Sequence, residues 1–454
     1  MCVTVPAAPR EEDDMNRRQF LRSSAAGALG VAGAAARAGR VLAQPAVDGP
    51  YGPLGPPDAN GLQLPDGFTA RELARFEQPV GASGYPWHVF PDGGATFATD
   101  DGWIYVSNSE HPGAGLGGVG ALRFDAAGEV VDGYSILTGT AYNCAGGATP
   151  WGTYLSCEEK PDGQVWECDP TGETEARVLP ALGVFEHEAV AVDPEGEQLY
   201  LTEDVADGRF YRFTPASYPS LDAGTLEVAV LAADGTVTWA EVPDPSAASG
   251  PTREQVAEST VFNGGEGIWY ESGHAYFTTK GDTKVWDYEP ATSQLTVLYD
   301  GAAIPEADRV LGAVDNVMAT PAGEVFVAED GDNLEIVVLT RDGVVAPFLR
   351  ATGHEGSELA GPAISPDGRH MCFSSQRGAG GGGVTYQVTG PFHAAAAEAA
   401  DEPRTPPSER AGGSTDDGNG SAVPAVAIGA GTGAVLAGAG AVWWLRTRRT
   451  KEAG

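Results

Sequence analysis

A short apolar stretch that ends in a polar, usually acidic, residue recurs along this chain. Each copy follows a turn rich in glycine, aspartate or proline, and most copies end roughly 45 to 50 residues apart. The copies are DGWIYVSNSE ending at Glu110, GTYLSCEE at Glu159, EQLYLTED at Asp204, GHAYFTTK at Lys280, GEVFVAED at Asp330 and RHMCFSSQR at Arg377. A repeat of this length is typical of propeller blades, so the pattern predicts an all-β, six-bladed β-propeller.

The polar ends of these stretches predict a metal site. A propeller gathers equivalent strand ends around one central channel. Four of the copies end in a carboxylate, at Glu110, Glu159, Asp204 and Asp330. Carboxylates that face one another repel unless cations lie between them. The repeat therefore predicts cations in the channel as well as a fold.

The propeller is predicted to span residues 50–393, with turn signals such as PDGG (91–94) and PAGE (321–324) before the apolar stretches. The gap between the third and fourth copies is longer than the others. Residues 217–260 are interpreted as an insertion over one face of the propeller, with a helix at 253–258. No helix-rich second domain is indicated.

The N-terminal region predicts export. In MNRRQFLRSSAAGALG, Arg17 and Arg18 precede Phe20, Leu21 and a mild Ala/Gly run, which matches a twin-arginine signal read by the twin-arginine export machinery. The signal region is residues 1–43, with Met15 as the expected true start. The alternative, an N-terminal membrane anchor, is weakened because arginines interrupt a short apolar stretch.

The C-terminal region predicts a membrane anchor. Residues 394–421 have the composition of a disordered acidic stalk. Residues 422–445 carry no charge over about the length that crosses a bilayer, and the basic tail 446–454 is expected in the cytoplasm. The propeller would then lie outside the cell, at its surface.

The overall charge excludes one class of partner. The formal net charge is −36, which argues against nucleic-acid binding because a phosphate backbone attracts basic surfaces. Five cysteines show no paired CxxC spacing, so no zinc knuckle is indicated.

The segment NCAGGATPWGTYLSCEE (143–159) is the densest in candidate chemistry. Cys144 precedes Gly146 and Gly147, where the backbone can approach a ligand closely. Alternate residues of a strand face opposite sides, so Glu158 and Glu159 do not both point into the channel.

Two further glutamates stand at the starts of apolar strands. Glu188 follows His187, and Glu266 lies in FNGGEGIWY. A carboxylate among apolar residues is costly to bury unless it is paired or bound to a metal, which makes both glutamates candidate ligands. His187 is a packed histidine or a site residue, and Ala191 excludes a zinc HExxH motif.

The remaining strand ends carry either more carboxylates or cations. EDGDN (329–333) does not fit an EF-hand loop, although Glu329 and Asp330 are candidate metal ligands. Lys280 and Arg377 are interpreted either as salt-bridge partners of neighbouring carboxylates or as contacts for an anionic substrate oxygen.

Several long segments, in the same order, resemble the PhoX-type alkaline phosphatase family of exported propellers. They include FEHEAVAVDP (185–194), LYLTEDVADGRFYRFTP (199–215) and DNVMATPAGEVFVAEDG (315–331), and the resemblance covers roughly residues 60–392. The resemblance implies a mixed iron and calcium cluster in the channel that hydrolyses phosphate monoesters.

The same resemblance implies a ligand set. It makes Cys144 the thiolate ligand of iron, and it favours Glu159 over Glu158. The other implied ligands are Glu188 and Glu266, then Glu203, Asp204, Glu329 and Asp330 for calcium, with Asn108 and Glu110 as a looser match. The family commonly has Arg-Pro before the glutamate that corresponds to Glu266, and that arginine is implied to hold the phosphate. Here Gly264 and Gly265 stand there, so Lys280, Arg350 and Arg377 are the candidate phosphate contacts.

Two other functions fit the sequence. One is a calcium-dependent propeller lactonase or phosphodiesterase. The other is a non-catalytic surface propeller that keeps calcium for rigidity and binds a partner.

Overall fold

The protein was analysed as a computed structural model that describes residues 48–393 apart from residues 332 and 379. Its strands form six antiparallel sheets. In chain order, the first two strands are β1 (Leu62–Gln63) and β2 (Thr69–Arg75). The first three blades are β3–β6 (Pro91–Thr99, Gly102–Ser109, Gly117–Asp125, Val130–Thr140), β7–β10 (Asn143–Ala148, Tyr154–Glu158, Val165–Cys168, Arg177–Val178) and β11–β15 (His187–Asp193, Gln198–Glu203, Phe210–Ser217, Ser220–Leu231, Val237–Glu241).

The other three blades complete the ring. They are β16–β19 (Gly265–Glu271, His274–Thr279, Lys284–Glu289, Gln294–Asp300), β20–β23 (Val314–Ala319, Glu324–Glu329, Glu335–Thr340, Val345–Ala351) and β24–β26 (Leu359–Ile364, His370–Ser375, Val384–Thr389). β1 pairs with β23, and β2 pairs with β26 from Thr69 opposite Thr389 to Arg75 opposite Val384. The N-terminal strand β2 thus completes the last blade and ties the two ends of the ring together. The predicted six-bladed β-propeller is confirmed.

Each blade is buried on both faces, because alternate strand residues pack into different interfaces. In β21, Val325 and Val327 pack toward the fourth blade, whereas Phe326 and Ala328 pack toward the sixth. Six hydrophobic clusters of this kind fill the spaces between neighbouring blades within the described residues. This double burial is the reason that the second strand of each blade is almost continuously apolar in the sequence.

The predicted insertion has a different place from the one expected. Much of residues 217–260 widens the third blade at its outer edge, as the long β14 and the fifth strand β15. The expected helix at 253–258 is wrong, since only a 3₁₀ turn at Thr252–Glu254 forms there. The other 3₁₀ turns are Pro180–Leu182, Gly301–Ala303 and Glu306–Asp308.

Within the described residues, no helix is both long enough and apolar enough to cross a membrane. The predicted export signal at 1–43, the stalk at 394–421, the span at 422–445 and the basic tail at 446–454 lie outside those residues.

Candidate metal centre

The first strand of every blade lies innermost, where it packs against the first strands of the two neighbouring blades. Each of these strands carries a β-bulge near its start, with two residues opposite one residue of the second strand. In five blades the first of the two bulged residues is a potential metal ligand: Asp92, Cys144, Glu188, Glu266 and Asp315. In the sixth blade the bulge falls at Gly361 and Pro362.

The second bulged residue lies where the innermost strands of neighbouring blades approach one another. It is small in most blades, and this lets the strands come close together. A Cβ atom added to Gly93 would lie 2.5 Å from the Cα atom of Ala145, and one added to Gly267 would lie 2.7 Å from the Cα atom of Asn316. Because the backbones approach one another so closely here, the potential ligands at the preceding positions are also held close together.

A second set of side chains follows the second strand of each blade. Because the registers are equivalent, the residue after the last paired position is Glu110, Glu159, Asp204, Lys280, Asp330 or Gln376. Five of these are the strand ends identified in the sequence. In the last blade the equivalent residue is Gln376, one position before Arg377.

Residues of these two sets, together with Glu358, form three clusters in which potential ligand atoms lie within 4.8 Å of one another. The first contains Cys144, Glu159 and Glu188. The second contains Glu188, Glu266 and Asp315. The third contains Asp92, Glu110 and Glu358.

Glu188 belongs to two clusters, and its side chain is fully buried. Within the described residues, neither of its carboxylate oxygens accepts a hydrogen bond. Burial, reinforced by the charges of Glu266 and Glu159, raises the pKa of Glu188 well above its usual range. A buried carboxylate without any donor is expensive, and a cation shared by the two clusters would satisfy both oxygens.

Cys144 also lies in this acidic environment. Burial raises the pKa of its thiol well above the usual range, with further contributions from the charges of Asp92 and Glu188. Its backbone is held by Asn108, whose Nδ2 donates to the carbonyls of Cys144 and Ala145 at 3.1 and 2.6 Å. The Oδ1 atom of Asn108 accepts from Ser156 at 2.8 Å, so the amide is used in positioning the strand that bears Cys144.

The third cluster is held together by Gln376. Its Nε2 donates to Asp92 at 2.5 Å and to Glu110 at 2.9 Å. Burial raises the pKa of Glu358 to about 7, with a further contribution from the charge of Asp330. Sequence reasoning missed Asp92, Asp315, Glu358 and Gln376. The available signal was the position of Asp92 and Asp315 just before an apolar strand, as for Glu188 and Glu266.

Two cations face these carboxylates. Lys280 Nζ lies 2.5 Å from Glu266 Oε1 and 2.6 Å from Asp204 Oδ2, and Arg377 lies 2.7 Å from Glu358. Both salt bridges agree with one of the two interpretations made from the sequence. Arg350 stands apart on the outermost long strand of its blade, three strand spacings or about 14 Å from the innermost strand. Its guanidinium pairs with Glu335, so the structure does not bring Arg350 to the channel.

Two of the predicted calcium ligands have other partners. Glu203 Oε2 accepts from the backbone N–H of Arg209 at 3.1 Å and from the hydroxyl of Tyr211 at 2.8 Å. Glu329 accepts from Gly312 and Glu335 backbone N–H groups at 2.7 and 3.1 Å. These two glutamates stabilise the loops beside their strands through these hydrogen bonds, and they lie in none of the three clusters.

His187 is a packed histidine. Its Nε2 lies 3.1 Å from the carbonyl of Gly183, and its ring packs at a tilt of 30° against Phe185 with 3.5 Å between centroids. Burial lowers the pKa of His187 to about 3, so the ring is neutral. Cys157 and Cys372 form no disulfide with another described cysteine, and both lie in the hydrophobic clusters between blades.

Comparison with known proteins decides the family. The model of the alkaline phosphatase PhoX family matches residues 120–378. The chain belongs to this family. The structure of Pseudomonas fluorescens PhoX in complex with vanadate, described as a transition state analogue, is similar to this PhoX-family chain with a TM-score of 0.62. The two sequences are 16% identical over 77% of this chain and 98% of that one, which shows a shared fold.

A more distant similarity is also found. A gluconolactonase from Xanthomonas campestris aligns with 75% of the PhoX-family chain at 13% identity and a TM-score of 0.45, too low to carry an argument about function. Among curated proteins, no sequence matches the chain.

Proposed function

We propose that this PhoX-family protein is a metal-dependent phosphatase that hydrolyses small phosphate esters in its central channel. The observation that carries the proposal is the fully buried Glu188, which belongs to two clusters and whose two oxygens lack a donor among the residues that the structure describes. Membership of an alkaline phosphatase family gives the reaction class. The vanadate complex of the Pseudomonas relative supports a phosphoryl-transfer site in a propeller of this shape.

The donor atoms fit the two metals that the family resemblance implies. A thiolate with two carboxylates, from Cys144, Glu159 and Glu188, suits iron. The carboxylate cluster of Glu188, Glu266 and Asp315 suits a hard cation such as calcium, which prefers oxygen ligands. The cluster of Asp92, Glu110 and Glu358 offers a second oxygen site, although Gln376 already donates to two of its members.

Bound cations supply Lewis-acid polarisation of a phosphoryl group. The chain itself supplies the positioning. The bulges of the innermost strands and the ends of the second strands position the carboxylates, and Asn108 positions the backbone of Cys144. Lys280 and Arg377 place positive charge at the same rim, where an anionic ester enters an otherwise acidic channel.

The cellular setting is part of the proposal. A twin-arginine signal exports the folded chain, and residues 422–445 anchor it with the propeller at the cell surface. Fractionation of cells that express the full chain tests this. The propeller should sediment with membranes and be released by external protease that cuts the 394–421 stalk. Recovery from the cytoplasm would contradict it.

A substrate panel tests the activity. Purified full-length protein should hydrolyse p-nitrophenyl phosphate, lose this activity with a chelator and regain it with iron and calcium. Glu188→Gln should lower kcat/KM at least a hundredfold, whereas Glu129→Gln, which changes an exposed glutamate paired with Arg71, should not. Turnover of lactones or phosphodiesters alone would replace the proposal with the lactonase or phosphodiesterase, and no turnover with calcium-dependent melting would indicate a binding propeller.

A further inference from the structure

Lys280 is unusual among the residues that follow the second strands. The equivalent positions in the other blades hold Glu110, Glu159, Asp204, Asp330 and Gln376, so only the fourth blade places a cation there. Its ammonium lies 2.5 Å from Glu266, a member of the cluster with Glu188 and Asp315. The same ammonium lies 2.6 Å from Asp204, which lies in none of the three clusters.

The backbone makes room for this lysine. Gly264 has a φ of +66°, and a Cβ atom added to it would lie 2.9 Å from Lys280 Cγ and 3.2 Å from Asp204 Oδ1. The backbone N–H of Lys280 donates to the carbonyl of Gly264 at 2.8 Å. A side chain at residue 264 would therefore displace the stem of Lys280, and the glycine is what lets the ammonium reach Glu266.

The ammonium holds an oxygen that a metal would use. Glu266 is 3% exposed, and its Oε1 atom faces Lys280. A divalent cation bound between Glu188, Glu266 and Asp315 would repel an ammonium at this distance, since like charges a few ångströms apart in a poorly solvated site destabilise one another. The side chain of Lys280 is 42% exposed, so part of it borders solvent although its ammonium contacts buried carboxylates.

We propose that Lys280 is an internal counter-ion that competes with a divalent cation for Glu266 and, once displaced, contacts the phosphate of the substrate. The inference rests on the proposed function for its second half only. The first half concerns cation binding by the protein without substrate. Asp204 retains the lysine near the rim in both states, because it can keep its salt bridge when Glu266 is taken.

The test measures calcium and inorganic phosphate binding in Lys280→Gln. At about pH 9, where Glu266 is ionised, calorimetric titration of the metal-free protein should show calcium affinity raised about tenfold, the effect of removing one charge-assisted contact of about 1.4 kcal/mol. In the metal-loaded protein, inhibition by inorganic phosphate should weaken about tenfold. The opposite signs distinguish the proposal from a general loss of stability, which would weaken both.

Two controls separate direct competition from a change in net charge. Lys284→Gln removes the same charge four residues away, where the lysine pairs with Asp282, and should leave both affinities unchanged. Gly264→Ala keeps every charge but pushes on the Lys280 stem, so it should also raise calcium affinity. Equal effects of Lys280→Gln and Lys284→Gln, or no change in calcium affinity with Lys280→Gln, would overturn the competition.

The outcomes also separate this inference from the proposed function. If the protein hydrolyses no phosphate ester but Lys280→Gln still binds calcium more tightly, the competition stands and the phosphatase proposal falls. If the protein is a phosphatase and Lys280→Gln alters neither binding constant, only the inference about Lys280 falls.

Discussion

Replacing Glu266 by glutamine should stabilise the metal-free protein at neutral pH, although Glu266 is a candidate metal ligand. Burial, reinforced by the charge of Asp204, raises the pKa of Glu266 to about 8, and the ammonium of Lys280 offsets only part of this. In the unfolded chain the carboxyl titrates near 4.5. The folded state therefore holds a proton that the unfolded state releases, and the metal-free protein loses stability as pH rises from about 4.5 through about 8.

The magnitude follows from that interval. Each pH unit between the unfolded pKa and the working pH costs 1.36 kcal/mol, so at pH 7 the cost of Glu266 is about 3 kcal/mol. Glutamine cannot ionise in either state, so Glu266→Gln removes the cost. Lys280 keeps its 2.6 Å contact with Asp204 and is not left unpaired. The increase in the free energy of unfolding caused by Glu266→Gln should be close to zero at about pH 4.5 and largest near pH 8.

Urea unfolding in the presence of a chelator, at several pH values from 5 to 8, measures this difference. Glu227→Gln is a matched control, because Glu227 pairs with Arg212 outside the three clusters and should show no gain that grows with pH. With calcium present the order should reverse, since the glutamine variant loses a ligand. A variant that is less stable than wild type at pH 7 without metal, or a difference that does not change with pH, would refute the reasoning.

Two further predictions concern Cys144 and its support. Cys144→Ser should lose bound iron and any visible absorbance together, as measured by metal analysis and spectroscopy, while Cys157→Ser, a change in the core between the second and third blades, should keep iron and lower only the melting temperature. Iron retained in Cys144→Ser would exclude the thiolate. Asn108→Ala removes the side-chain donor to two buried carbonyls, so unfolding should become easier by about 1 to 3 kcal/mol and iron affinity should fall about tenfold or more. Unchanged iron affinity at equal occupancy would limit Asn108 to a structural role.

The repeat predicted the blades well because the second strand of each blade is buried on both faces. Double burial makes an apolar stretch, and the stretch ends where the strand leaves the interface. The one misplaced end is in the last blade, where Ser374 and Ser375 are already polar and still paired. The polarity of the sequence therefore did not indicate that pairing ends at Ser375, so that Gln376 and not Arg377 is the equivalent residue.

The candidate ligands on the innermost strands are less conspicuous in the sequence. A bulge breaks the alternation of faces near the start of each one, so the periodicity that identifies inward-facing residues fails where the candidate ligands lie. Glu188 and Glu266 were found because a carboxylate beside apolar residues is conspicuous. Asp92 was hidden in a sequence that also fits a turn, and Glu358 precedes its strand without any such contrast.

What the sequence alone determined is the number of blades and the crowding of acidic strand ends around one channel, since both follow from a local period and from burial. The tertiary structure decided which carboxylate of each adjacent pair faces the channel. At Glu158–Glu159 and Glu203–Asp204 the first residue accepts a backbone N–H, from Gln164 and Arg209 respectively. The second residue lies among the candidate ligands, Glu159 in the cluster with Cys144 and Asp204 beside Lys280. Adjacent strand residues must face opposite sides, but only the register between neighbouring strands determines which of the two faces the candidate metal centre.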